Sequence, residues 1–515
     1  MKKIKLFLSV LIFTAILSCK SVNQTTTTSN IIDDGKISIT FLQLNDVYEI
    51  SPLEGDKVGG MARVATLKKH LKKENKNTFT FMAGDFLSPS LLSTIKYKGQ
   101  RIKGQQMIEA MNSVGFDLVT FGNHEFDLSK NELQQRLNES NFAWTSANAR
   151  QKVSGDTYPF YKERNGIKKF VSDTHILEAK DTDGTAIKMG FFSVMLPSNP
   201  TNYVAYTDAL EQAKRAYTSL LSRADIIFGL THLKLEDDKK IAALLPDIPL
   251  IMGGHEHSNM LVDVGSTKIA KADANAKTVY IHRIDYDKKS KKYKLTSELK
   301  AINKEIAKND STQAVVDKWS SILDKQIQEI VSNPKEIIHY AKIPLDGRDA
   351  PIRRSQTNLG KLIVRAMAYG FNNEVDCALV NSGSIRLDDQ LTGEINSIDI
   401  FRVLPFGGGI LKVDLKGNLL KEVLDYGLSR VGKGAYLQRY LAELDSDSNT
   451  WKINNKPLDV NKTYKVAFSD YLLKGLDIPF LKPDNKDVFN VYKPTDTELG
   501  SDIRKTIIAY LKSIK

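Results

Sequence analysis

Apolar and polar positions follow two different periods along this chain. From residue 37 to about residue 260, short β-branched runs are separated by stretches whose apolar residues recur at helical spacing, the pattern of βαβ units feeding a largely buried sheet. Strands are predicted at Ile37–Leu44, Thr78–Ala83, Leu118–Phe121, Ile226–Leu230 and Leu250–Met252, and helices at Met61–Lys73, Gln105–Val114, Leu133–Glu139 and Leu210–Arg223. Each strand runs straight into polar residues or glycines. Thr312 to Val331 reads as one long helix with apolar positions at Val315, Trp319, Ile322, Ile327 and Ile330, stopped by Asn333-Pro334. Residues 335–515 mix helix and strand again and are long enough for a second domain, so this helix is expected to connect two bodies.

Composition narrows the picture. A chain of 515 residues with 41% hydrophobic and 26% charged residues is a folded protein of two or three domains, not a disordered one. Lys and Arg outnumber Asp and Glu, 73 to 61, but they are interleaved with acids. The lysine-dense stretches Lys68–Lys76 and Lys288–Lys294 read as solvated faces, and a nucleic-acid polymer is not an expected partner. A basic surface suits phosphorylated substrates equally well.

The two cysteines have unlike contexts. Lys2, Lys3 and Lys5 precede a largely apolar run from Leu6 to Leu17, then Ser18 and Cys19. That is a secretory signal over residues 1–19, because a run of 12 residues is shorter than the roughly 20 needed to span a bilayer. Ile16-Leu17-Ser18-Cys19 resembles the bacterial lipobox, which implies cleavage before Cys19, a lipid on its sulfur, and an exported protein anchored to a membrane. Residues 20–35, rich in Ser, Thr and Asn, suit a flexible tether. Cys377, in the apolar run Val375–Val380, is expected to be a buried, inert thiol.

The polar clusters at the strand ends carry the chemistry. They read Leu44-Asn45-Asp46-Val47-Tyr48, Ala83-Gly84-Asp85, Gly122-Asn123-His124-Glu125-Phe126-Asp127, Thr231-His232 and Gly253-Gly254-His255-Glu256-His257. In open α/β sheets the carboxyl ends of strands lie side by side and form the ligand crevice, so these clusters are expected to converge. Carboxylate, amide oxygen and imidazole together suit Zn, Mn, Fe or Co better than Mg or Ca. Four of the eight histidines fall in these clusters, while His70, His175, His282 and His339 do not.

With those residues in view, the chain resembles the bacterial 5′-nucleotidase family, whose relatives include UDP-sugar hydrolases and 2′,3′-cyclic phosphodiesterases. The resemblance implies an α/β fold: an N-terminal four-layer metallophosphoesterase-type β-sandwich flanked by helices over residues 36–310, a connector helix over 311–334, and a smaller α+β substrate-binding domain over 335–515. It implies two divalent metal ions, one held by Asp46, Asp85 and His257 and the other by Asp85, Asn123, His232 and His255. His124, oriented by Asp127, would be the catalytic group at the leaving oxygen. The sequence departs from the pattern at Tyr48, where the family usually has histidine; a phenol is a poor ligand beside imidazole.

In the second half, Arg353, Asn381, Arg386, Phe406 and Asp477 match the substrate-binding positions of the family, with Phe406 stacking on a base and Phe480, displaced by one place, as the second aromatic. The resemblance implies hydrolysis of nucleoside 5′-monophosphates outside the cytoplasm, with closure of one domain on the other about the connector helix. Alternatives are a cyclic phosphodiester, a UDP-sugar or another phosphate ester as substrate, or a surface nucleotide-binding lipoprotein whose catalysis has lapsed, which Tyr48 would explain.

Overall fold

The structure, a computed structural model, describes residues 33–197 and 201–514. The expected signal segment, the expected lipidation site Cys19 and the tether as far as residue 32 lie outside those residues. Among the described residues no helix is long and apolar enough to cross a membrane.

The strand Lys36–Leu44 shows how the architecture arises. Side chains alternate across a strand, so Ile37, Ile39 and Phe41 enter one apolar cluster while Leu42 and Leu44 enter another. Both faces are apolar because both are covered. The sheet around it runs in the order Lys292–Ala301, Thr278–Asp287, Lys36–Leu44, Thr78–Ala83, Leu118–Thr120, Ala143–Thr145. It is parallel from Lys36–Leu44 onward and antiparallel at the other edge. A second six-stranded sheet has the order Thr174–Lys180, Ala186–Met195, Ile226–His232, Leu250–Met252, Thr267–Lys271, Met260–Val264.

The two sheets face each other across Phe41, Phe81, Phe191 and Phe228, whose ring centroids are 4.8–5.8 Å apart. Met61–Glu74, Gln105–Val114, Lys130–Glu139 and Asp310–Gln328 cover the outside of the first sheet. Ala209–Leu220 and Leu235–Leu244 cover the second. The result is a four-layer sandwich. Strand periodicity alone suggests one buried sheet; there are two, because long runs such as Ala186–Met195 and Thr278–Asp287 also pair.

The C-terminal half is built on a five-stranded sheet in the order Leu437–Tyr440, Cys377–Asn381, Thr463–Ser469, Ile410–Lys416, Val488–Tyr492. Asn358–Tyr369 and Ile503–Ser513 pack on one face and Gly417–Ser429 on the other. Cys377 is fully buried in it, and burial pushes its thiol pKa up.

The long helix Asp310–Gln328 does not cross open space. Trp319 is fully buried and its Nε1 donates to Glu109 Oε2 at 2.9 Å, so the helix belongs to the outer layer of the first sheet. One apolar cluster continues from Val47, Ile50 and Leu323 into Ile338, Ile352, Leu387 and Ile400 of the C-terminal half. A swing of that half about the helix would open this seam.

His282 ties the sandwich to the loops above it. Its Nε2 donates to Gln43 Oε1 at 2.9 Å and its Nδ1 accepts from Ser297 Oγ at 2.8 Å, while Gln43 Nε2 donates to the carbonyls of Gly253 and Ala270. Burial lowers its pKa to about 3. Below the ordinary value of 6.5 the unfolded chain takes up a proton that the native imidazole refuses, so this part of the stability is complete above pH 6.5 and is lost as pH falls toward 3. At pH 5 the loss is about 2 kcal/mol. The melting temperature of His282→Gln is therefore expected to fall less than that of the wild type between pH 7 and pH 5; parallel slopes would contradict it.

Candidate metal centre and substrate pocket

The five polar clusters follow strands of both sheets, and the structure brings them to one place. Asp46 Oδ1 lies 3.2 Å from His257 Nε2 and 4.0 Å from His232 Nε2; Asp85 Oδ2 lies 3.2 Å from His232 Nε2, which is also 3.2 Å from Asn123 Oδ1. The His255 ring centroid is 5.5 Å from that of His232. Asp46, Asp85 and His232 are fully or almost fully buried.

The backbone is held in an uncommon conformation to achieve this. Asp46, Asp85, His255 and His257 all have left-handed φ, 53°, 55°, 92° and 60°. Such strain costs on the order of 1 kcal/mol or more per residue and persists only where surrounding contacts over-determine it. Those contacts are identifiable. The His255 N–H and Asn45 Nδ2 donate to Asp46 Oδ2, each at 2.8 Å, and the His124 N–H donates to Asp85 Oδ1 at 2.7 Å. Glycine supplies close approach: a Cβ on Gly122 would collide with Asp85, and one on Gly254 with the Ala83 carbonyl.

Three supports were not read from the sequence. The Glu125 carboxylate accepts the N–H groups of Asp85, Phe86, Leu87 and Gly122 at 2.6–3.0 Å and so shapes the loop carrying Asp85. Lys271, fully buried, donates to Glu256 Oε2 and to the carbonyls of Leu233 and Gly254, and pairs with Asp238 at 2.7 Å. It clamps the turns behind His232 and His255. Asn275 Oδ1 accepts the N–H groups of Tyr48 and Glu49. A run of alternating apolar residues ending in lysine gives no sign that the lysine turns inward; the carboxylates of Asp238 and Glu256 must already be there to receive it.

The donor set fits divalent cations. Asp46 Oδ1 and Asp85 Oδ2 are buried without a hydrogen bond and face histidine nitrogen. His232 Nδ1–H donates to the Ala83 carbonyl at 2.7 Å and His257 Nδ1–H to the Asp388 carbonyl at 2.7 Å, which turns each Nε2 toward the acids. Burial disfavours a charged imidazole, but Asp85 and Asp46 outweigh it and raise His232 to about 9. Burial is likewise outweighed at His257 by Asp388 and Asp46. Burial beside His232 drives His255 the other way, well below its usual value. A group of acids that keeps protons on its histidines is a site asking for positive charge, which a metal supplies in their place.

Tyr48 sits at this centre. Its hydroxyl is 2.9 Å from His257 Nε2 and donates to Asp388 Oδ2 at 3.3 Å; burial and the surrounding carboxylates push its pKa well above 10, so it stays a phenol. Beside it, His124 Nδ1–H donates to Asp127 Oδ2 at 2.9 Å. Asp127 Oδ2 also accepts from Ser88 Oγ and from Arg386 Nη2 at 2.8 Å. Burial works against a charged His124, but Asp127 and Asp85 raise it to about 10.

The expected substrate-binding residues divide. Asn381, Phe406 and Asp477 line a cavity of about 440 Å³ with Tyr471 and Lys474. Asn381 Nδ2 donates to Asp477 Oδ2 at 2.7 Å, and Phe406 is 59% exposed and so is not a core aromatic. Arg386 joins His124 and Asp127 as just described. Arg353 pairs with Asp349 at 2.6 Å, and Asp349 lines a separate cavity of about 350 Å³ over Asp85, His124 and His257. Phe480 does not meet Phe406. Its buried neighbours Ile478 and Leu481 anchor that segment in the C-terminal core, which turns the Phe480 ring onto Tyr426 at 5.5 Å on another face. Tyr471 lines the cavity instead.

A carboxylate and imidazole centre on a four-layer sandwich, with a second domain beside it, defines a metal-dependent phosphoester hydrolase, and the comparisons agree. The model of calcineurin-like phosphoesterases matches residues 39–259 and that of the 5′-nucleotidase C-terminal domain matches residues 337–482; the chain carries both of these domains, in the order found in 5′-nucleotidases. It is 25% identical to the trifunctional nucleotide phosphoesterase protein YfkN of Bacillus subtilis (strain 168) over 86% of its own length, spanning 32% of that protein. It is 25% identical to the 5′-nucleotidase of Mus musculus over 85% of its length and 83% of that protein. The crystal structure of a 5′-nucleotidase precursor from Thermus thermophilus shares its fold, with a TM-score of 0.66 and 23% identity over 93% of this chain and 97% of the other.

Because Gly122 touches Asp85 so closely, Gly122→Ala is expected to displace that carboxylate and lower the metal content of the purified protein by at least half, with the far-ultraviolet circular dichroism unchanged. Full metal content in the variant, measured by elemental analysis, would show that Asp85 is not held as described.

Proposed function

We propose that the chain hydrolyses nucleoside 5′-monophosphates to nucleoside and phosphate outside the cytoplasm, as an exported, lipid-anchored enzyme. Export is supported by the signal-like first 19 residues and by relatives described as snake venom 5′-nucleotidases. The observation that carries the substrate reading is the Arg386–Asp127 ion pair, which ties the loop after the Asn381–Ser384 segment to the group beside His124. It sets an aromatic cavity fit for a base and a centre fit for a phosphoryl group on one short stretch of chain.

Asp46, Asp85, Asn123, His232, His255 and His257 would hold two divalent cations. Bound there, such cations offset the charge of the phosphoryl group and acidify water. The chain's own residues do the rest. His124 presents Nε2 to the leaving oxygen and gives it a proton. Asp127 holds the ring by Nδ1, and Arg386 and Ser88 hold Asp127. Phe406 offers its exposed face to the base, while Asn381 and Asp477 offer polar atoms to the sugar or base edge. The turned-away Phe480 favours a second reading, in which bases are gripped loosely and cyclic phosphodiesters, UDP-sugars or simple phosphate esters are also cleaved.

Phosphate release from AMP, 2′,3′-cAMP, UDP-glucose and p-nitrophenyl phosphate with Mn²⁺, Co²⁺ or Zn²⁺ separates these readings. His124→Ala is expected to lower kcat by roughly 10²–10⁴ while moving KM little. A chelator should abolish turnover. Tight AMP binding without phosphate release under every metal would defeat the catalytic reading. Phe406→Ala should cost AMP about tenfold more in kcat/KM than it costs p-nitrophenyl phosphate, since stacking contributes on the order of 1–3 kcal/mol per base; equal losses would place the base elsewhere.

A further inference from the structure

We propose that Asp388, carried by the C-terminal half, is itself a metal-facing ligand, so that the cation beside His257 is shared between the two halves of the chain. The inference rests on the two-metal reading above. Asp388 Oδ2 lies 3.4 Å from His257 Nε2, 3.3 Å from the Tyr48 hydroxyl and 3.6 Å from His124 Nε2. Asp46 Oδ1, buried and without a hydrogen bond, lies 3.2 Å from the same His257 nitrogen. With metal–ligand bonds of about 2.0–2.2 Å, neighbouring donor atoms of one coordination shell sit roughly 2.9–3.6 Å apart. The Asp46–His257 and His257–Asp388 spacings both fall in that range.

Asp388 is built into this position. Its carbonyl accepts from His257 Nδ1, its Oδ1 accepts the Asp349 N–H at 2.7 Å, and its backbone is left-handed with φ 45°, like Asp46, Asp85, His255 and His257. One residue thus aims the His257 lone pair with its carbonyl and places a carboxylate next to it. The flanking residues pin the loop. Leu387 is buried in the shared apolar cluster. Asp389 is buried against Lys277 Nζ at 2.8 Å and Asn275 Nδ2 at 3.0 Å, both from the N-terminal half. Arg386 is fixed by Asp127.

That anchoring separates a ligand from a plug. A carboxylate that merely occupied the place of the phosphate would have to turn away for every turnover, giving up the Asp349 N–H and the Tyr48 hydroxyl that hold it. In the metal-free chain Oδ2 faces the His257 and His124 imidazoles and the Tyr48 hydroxyl. A divalent cation beside His257 would take the place of the proton on Nε2 and find Oδ2 within reach. By linkage, metal uptake and docking of the C-terminal half then favour each other.

Titration of the metal-stripped full chain with Mn²⁺ by calorimetry tests this. The wild type is expected to take up two equivalents. Asp388→Asn should weaken one of them at least tenfold and leave the other within about threefold, and should shrink the rise in melting temperature that Mn²⁺ gives. Asp388→Glu, which keeps the charge but moves the carboxylate by one methylene, should weaken the same equivalent and serves if the asparagine variant does not fold. Two unchanged equivalents in either folded variant overturn the proposal. The same isotherm with a lower KM for AMP would also overturn it and mark the carboxylate as a competitor of phosphate. A wild-type chain that takes up no Mn²⁺, Co²⁺ or Zn²⁺ would instead remove the two-metal reading beneath it.

Discussion

Two buried carboxylates, each with one oxygen taken and one left open, set the terms for the rest of this molecule. Asp46 Oδ2 and Asp85 Oδ1 are held by backbone N–H groups, and Asp46 Oδ2 by Asn45 as well, while Asp46 Oδ1 and Asp85 Oδ2 find no hydrogen bond and stand before histidines. Burying a carboxylate is expensive unless positive charge faces it, here the imidazoles that these acids keep protonated or a cation in their place. Strands from both sheets must end at the same level, their turns must adopt left-handed backbone, and glycines must stand where a Cβ would push the acids apart. Each is a condition on the fold set by one electrostatic requirement.

The two halves of the chain meet around this centre. The loop Arg386–Asp389 reaches across to Asp127, His257, Tyr48 and Lys277, and Arg402 approaches half-buried Glu49 from the same side. Because a continuous apolar cluster underlies these contacts, the aromatic cavity around Phe406 has a fixed relation to the metal centre in this arrangement. On the function proposed above, binding energy gathered by a base in that cavity would serve to position a phosphoryl group, which is what a remote anchor must do to raise kcat as well as lower KM.

Much of this was legible in the sequence because strand ends announce themselves. An apolar β-branched run that stops at Asn45-Asp46, Gly84-Asp85 or Thr231-His232 marks both an element and the polar group at its tip. What was not legible depends on partners far away along the chain. Asp388 looks like any loop acid until His257 and Tyr48 are seen around it. Lys271 reads as the solvated end of a strand, and its burial follows only from Asp238 and Glu256, which lie on other turns. Phe480 has the right residue type near the right place, yet Ile478 and Leu481 beside it decide its direction. Two sheets instead of one follow from pairing between segments more than 200 residues apart, such as Lys36–Leu44 with Thr278–Asp287, which local periodicity does not encode.

Lys271 shows why the centre keeps its appetite for cations. A buried lysine near open carboxylates would satisfy them and leave nothing for a metal to do. Here its ammonium is committed to Asp238, Glu256 and two carbonyls, and although burial works against its charge, those two acids hold its pKa above the ordinary value. It therefore fixes the turns that present His232 and His255 without neutralising Asp46 or Asp85. What faces those two acids is imidazole, a base that can give up its proton to make room for a metal, where an ammonium or guanidinium could not do so readily. The division of labour, permanent cation behind and exchangeable protons in front, makes the same crowded acids both a stable part of the fold and a receptive metal site.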